Sequence, residues 1–100
     1  MPALLAWLRR RRTRRLHVAA APADVLLQSV AVLRHFGARV LRCDVEDGTL
    51  EARLAAGARL TVAAMEDGAG SRVTVETDGA DWHGVGRTLE SELARGGGSA

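Results

Sequence analysis

Residues 38–77 read ARVLRCDVEDGTLEARLAAGARLTVAAMEDGAGSRVTVET, and this stretch decides the fold. Apolar and polar residues alternate through four runs, and each join between runs carries a glycine: Asp47-Gly48, Ala56-Gly57, and Asp67-Gly68-Ala69-Gly70. Asp-Gly between alternating runs signals a tight hairpin, because a type I′ turn needs positive φ at both central residues. The alternation assigns one face to Leu41, Cys43 and Val45, then Leu50, Ala52 and Leu54, then Leu60, Val62 and Ala64, then Val73 and Val75. The other face receives Arg42, Asp44, Thr49, Glu51, Arg53, Arg59, Thr61, Arg72, Thr74 and Glu76. The expectation is an antiparallel meander with one buried and one wet face.

Upstream, Leu16 and Val18 alternate with Arg15, His17 and Ala19, as a first strand would. Pro22 and Asp24 then open a helix, since proline suits a first turn and an acid there favours the dipole. Its stripe is Leu26, Val30 and Leu33, flanked by Leu27, Val32 and Phe36. It runs from about Ala23 to Phe36, where Gly37 closes it. Downstream, Trp82, Val85, Leu89 and Leu93 recur at helical spacing, with a firm helix expected from about Val85 to Ala94. The fold class is therefore α+β: a two-layer sandwich in the order β-α-β-β-β-β-α, with two helices on one face of a five-stranded antiparallel sheet. Residues 1–15 are expected as an Arg-rich arm, 16–95 as a single domain and 96–100 as a flexible Gly-rich tail.

All fourteen basic residues are arginine, with no Lys, Asn, Ile or Tyr in the 100 residues, a bias that reads as GC-rich bacterial coding. The net charge of +2 hides a division. Arg9, Arg10, Arg11, Arg12, Arg14 and Arg15 crowd the arm, and the chain beyond them is net negative. Any argument from basic charge therefore concerns the arm and not the domain.

The arm, MPALLAWLRRRRTRR, has no apolar run near the about 20 residues that span a bilayer. Its charges follow its apolar patch, the reverse of a secretory signal. Three expectations compete for it: a solvated terminus, an anchor on an anionic membrane, and an arm for nucleic acid phosphates. In the membrane reading Trp7 and Leu8, with Leu4 and Leu5, enter the interface while Arg9, Arg10, Arg11, Arg12, Arg14 and Arg15 meet headgroups. The expected location is cytoplasmic, peripheral to a membrane if the anchor operates.

Catalytic and metal signals are weak. His17, His35 and His83 show no ligand spacing. Asp44, Glu46 and Asp47 cluster at a turn, and no nucleophile elbow or phosphate-cradling loop occurs. Cys43 is the single cysteine, expected inward as a small hydrophobe. No enzyme, cofactor or metal is expected. The charged sheet face is expected to carry cross-strand ion pairs in solvent. A homodimer through a sheet edge or through this open face is the alternative.

The element order resembles the TATA-binding-protein-like fold, which also underlies the START-like, polyketide-cyclase-like helix-grip proteins. LHVAAAPADVLLQSV (16–30) is similar to their first strand and helix, and GAGSRVTVET (68–77) to a late strand after a Gly-rich turn. The likeness covers Leu16 to about Arg95. It implies a sheet gripped by helices, and in the larger helix-grip proteins a cavity for a hydrophobic ligand. This chain is shorter, and its last helix of about 12 residues is only about 18 Å long. The TATA-binding comparison implies DNA on the open face, but that needs aromatic wedges that this face lacks. No functional residue carries over. The overall expectation is a non-catalytic interaction module with a basic amphipathic arm. A small lipid carrier and a nucleic-acid accessory protein are the alternatives.

Overall fold

A computed structural model describes residues 11–55, 57–79 and 84–97. Its elements are β1 (Arg11–Val18), α1 (Pro22–His35), β2 (Arg39–Asp44), β3 (Thr49–Arg53), β4 (Arg59–Asp67), β5 (Gly70–Asp78) and α2 (Val85–Gly97). The five strands form one antiparallel sheet in the order β1-β5-β4-β3-β2. Helix α1 carries the chain from one edge strand to the other, packing across β2, β3, β4 and β5, while α2 lies on β1 and β5 beside α1. One sheet face is thus covered and the other open. This is the expected α+β architecture.

The covered face contains Leu50, Ala52 and Leu54 on β3 and its end, Leu60, Val62 and Ala64 on β4, and Val73 and Val75 on β5, all buried. Helices add Val25, Leu26 and Leu33 from α1 and Val85, Leu89 and Leu93 from α2. Two fully buried serine hydroxyls share this interior without penalty. Ser29 donates to the Val25 carbonyl at 2.7 Å and Ser71 to the Ala20 carbonyl at 2.6 Å, so neither buries an unmet donor.

Helix α1 ends as its sequence dictates. Gly37 takes φ +79; its N–H donates to the Arg34 carbonyl at 3.0 Å, and the Ala38 N–H to Leu33 at 2.9 Å. These are the two bonds of a Schellman closure, which needs the left-handed residue that glycine supplies. The apolar stripe is rotated from expectation. Val25, Leu26, Ser29 and Leu33 are buried, whereas Leu27 is 59% and Phe36 47% exposed. Leu27 stands about 100° around the helix from Leu26, and that turn carries it off the packed face.

Three further expectations need correction. Leu41, Cys43 and Val45 are all exposed. A bulge between Val40 and Arg42 inserts an extra residue, and Val40 takes the place on the core opposite Ala52. Cys43 lies opposite Leu50, but on an edge strand with no neighbour beyond it. The turns at Gly48 and Gly68 also differ from type I′, because among the described residues none other than glycine has positive φ. Gly48 is the last of four residues between the Asp44–Thr49 pair. Gly68, at φ +63, is the first central residue between Asp67 and Gly70, as in a type II′ turn. The element boundaries move as well: β1 begins at Arg11, inside the expected arm, and α2 extends to Gly97, inside the expected tail. Trp82 and the Ala56 turn position lie outside the described residues.

Candidate anionic-partner surface

Of the arginines assigned to the arm, Arg11, Arg12, Arg14 and Arg15 belong to a strand, while Trp7, Leu8, Arg9 and Arg10 lie outside the described residues. Arg-Thr-Arg has no apolar alternation to announce a strand. The pairing comes instead from β5, whose free edge offers backbone donors and acceptors from Asp78 through Ser71 to Arg11 through Val18. Strand alternation then divides the run between two faces. Thr13, Arg15 and His17 share the open face with their β5 partners Glu76, Thr74 and Arg72. Arg12 and Arg14 fall on the helix side, where the Arg14 guanidinium donates to Glu90 of α2 at 3.1 Å.

Pairing across all five strands sorts the open face into rows. At the end where β1 starts, the register runs Arg11, Asp78, Arg59, Arg53, Arg39. The next row runs Thr13, Glu76, Thr61, Glu51, Arg42, followed by Arg15, Thr74, Ala63, Thr49, Asp44. Arginine is therefore concentrated in the end row, and the glutamates stand behind it. Arg59 reaches Glu51 at 3.7 Å, Arg42 reaches Asp44 at 3.8 Å and Arg72 reaches Asp67 at 3.5 Å. At these lengths and exposures each pair stabilises by at most about 1 kcal/mol.

Arg39 is absent from the face that alternation alone assigns. Continuing the pairing of Asp44 with Thr49 down an unbulged β2 would set residue 39 opposite Leu54, on the core side. The bulge reverses that phase and delivers Arg39 opposite Arg53. The only usable signal in the sequence is the symmetry of Arg53 and Arg59 about the β3–β4 turn.

At the opposite end of β1 an open depression of about 510 Å³ is lined by Arg15, Leu16, His17, Asp67, Arg72 and Thr74. The His17 ring lies 3.3 Å from the Asp67 carbonyl, and His35 packs edge-on to Phe36 at 5.1 Å. His83 lies outside the described residues. Among the described residues no three His, Cys, Asp or Glu side chains converge as metal ligands. Between helices and sheet, Leu26, Leu33, Leu60, Val62, Val73, Leu89 and Leu93 form a single cluster at 0% exposure. Among the described residues no helix is long and apolar enough to cross a membrane.

The chain matches no family model and no curated protein. A solved structure of similar fold is TTHA0849 from Thermus thermophilus, with a TM-score of 0.52. Identity is 11%, over 86% of this chain and 88% of that one. At that identity the likeness concerns the fold alone.

Proposed function

We propose that the protein is a non-catalytic interaction module that docks on an anionic membrane surface through its basic N-terminal segment. The observation that carries this reading is the continuity of that segment with β1. Arg11–Arg15 are held in a sheet edge, so the charges of Arg12, Arg14 and Arg15 are tied to the domain. Before them, across Arg9 and Arg10, stand Leu4, Leu5, Trp7 and Leu8, apolar groups suited to shallow insertion beside headgroups. Each arginine near an anionic surface contributes about 1 kcal/mol, enough in sum to hold a domain whose remaining charge is negative.

Nucleic acid would use the arginines but gain little from Trp7 and Leu8, and the described open face offers no Trp or Phe on which bases stack. The kinship with TATA-binding-protein-like or helix-grip proteins stays part of this proposal, supported by element order. The test is co-sedimentation with vesicles containing phosphatidylglycerol at low salt. The intact chain binds; the Trp7→Ala/Leu8→Ala variant, with every arginine retained, loses most of that binding. Failure of the intact chain to bind would overturn the reading.

A further inference from the structure

We infer that the membrane contact extends beyond the N-terminal segment to the end of the sheet, where the cross-strand arginines Arg39, Arg53 and Arg59 form a second headgroup-binding element that docks the domain end-on. This inference rests on the membrane reading above. Arg53 lies directly opposite Arg59 on one side and Arg39 on the other, and all three are exposed. Strand spacing puts their backbones about 10 Å apart from first to last. Like charges directly opposite destabilise a sheet, and local acids relieve little of that here. Arg59 has only the 3.7 Å approach of Glu51, and Arg39 and Arg53 have no ion-pair partner among the described residues. Asp78 is the one acid in the row, next to Arg59 on the side of β1.

Three features of the same end point to a membrane. The row continues in register to Arg11, so β1 begins at this end, and in the sequence Trp7, Leu8, Arg9 and Arg10 directly precede it. Helix α1 also finishes here, just before Arg39, and Phe36 at its cap is 47% exposed. An exposed aromatic ring at this end suits the interface between headgroups and acyl chains. Finally, Glu51 and Glu76 sit one row back, about 7 Å along the strands. A planar surface touching the end meets the arginines and leaves the glutamates in water. A duplex laid along the open face would lie over both.

The experiment compares intact chain, Arg39→Gln/Arg53→Gln/Arg59→Gln, the single Arg53→Glu and Phe36→Ser, all retaining residues 1–15. Probes are phosphatidylcholine vesicles with and without phosphatidylglycerol, and mixed-sequence duplex DNA, at low salt. Circular dichroism and melting confirm folding; relief of like-charge contacts leaves the triple variant at least as stable as the parent. The triple variant should bind anionic vesicles on the order of 100-fold more weakly, Arg53→Glu should show a smaller loss, and Phe36→Ser should weaken vesicle binding without affecting DNA. Equal vesicle binding by intact and triple-variant protein would overturn this inference and leave the N-terminal contact standing. Should the triple variant misfold, full binding by Arg53→Glu serves the same purpose. No vesicle binding by the intact chain would overturn both readings. Duplex binding lost in the triple variant, without vesicle binding, would replace the membrane as occupant.

Discussion

Gly48 lies against the backbone of Ala64: the Ala64 N–H donates to the Gly48 carbonyl at 2.8 Å, and a Cβ on Gly48 would stand 2.3 Å from the Ala64 oxygen. With φ at +72 as well, this position excludes a side chain twice over. Gly48→Ala should destabilise by about 3 kcal/mol, combining left-handed strain with a backbone clash that must push β4 aside. Gly68→Ala, at φ +63 but with nothing within 4 Å, should lose only about 1 kcal/mol. Chemical denaturation of both variants checks the difference, and equal losses would mean that strain alone matters at Gly48.

Val62 is fully buried on β4, between Leu50 and Val75 in register. A carboxylate there has no partner, and its cost rivals the whole stability of a small domain. Val62→Asp should therefore fail to give a cooperative melt. Ala63→Asp, one residue along on the open face, should stay within about 0.5 kcal/mol of the parent. Reversed outcomes would invert the register of the sheet.

The Arg14–Glu90 contact at 3.1 Å joins the edge strand to α2, with each side chain about one-third exposed. A double-mutant cycle with Arg14→Gln and Glu90→Gln should return a coupling of about 1 kcal/mol. In 1 M salt the coupling should shrink, since both groups remain partly solvated. A coupling near zero at low salt would make β1 independent of α2.

Cys43 is exposed on the outer strand. In the native protein its thiol should react with a maleimide or an aromatic disulfide at close to the rate seen in denaturant. A thiol silent until unfolding would place Cys43 in the core, against its exposure on the edge strand.

Much of this architecture is legible one element at a time. Gly37 ends α1 because a Schellman closure needs a left-handed residue, and the residue after Phe36 is a glycine. The inward sets of β3, β4 and β5 follow from alternation, because each strand is regular and one face must be dry. By itself, then, the sequence determined the order of elements, their direction reversals, the composition of most of the core and the concentration of basic charge in the first fifteen residues.

Only tertiary structure decided the phase of β2, the start of β1 and the charge pattern of the open face. The bulge next to Leu41 is a two-strand property: it exists relative to Ala52 and Glu51, and nothing in RVLRCD marks it. Arg11–Arg15 become a strand because β5 has an unpaired edge beside them, a condition met some sixty residues later in the chain. Arg39, Arg53 and Arg59 form a row because three strands align in register, which brings together charges that are 14 and 6 positions apart. Local propensity acts between neighbours in sequence, whereas backbone hydrogen bonding between strands sets which distant side chains share a surface. For this protein that second kind of proximity gathers Arg39, Arg53 and Arg59 into one row at the end of the sheet.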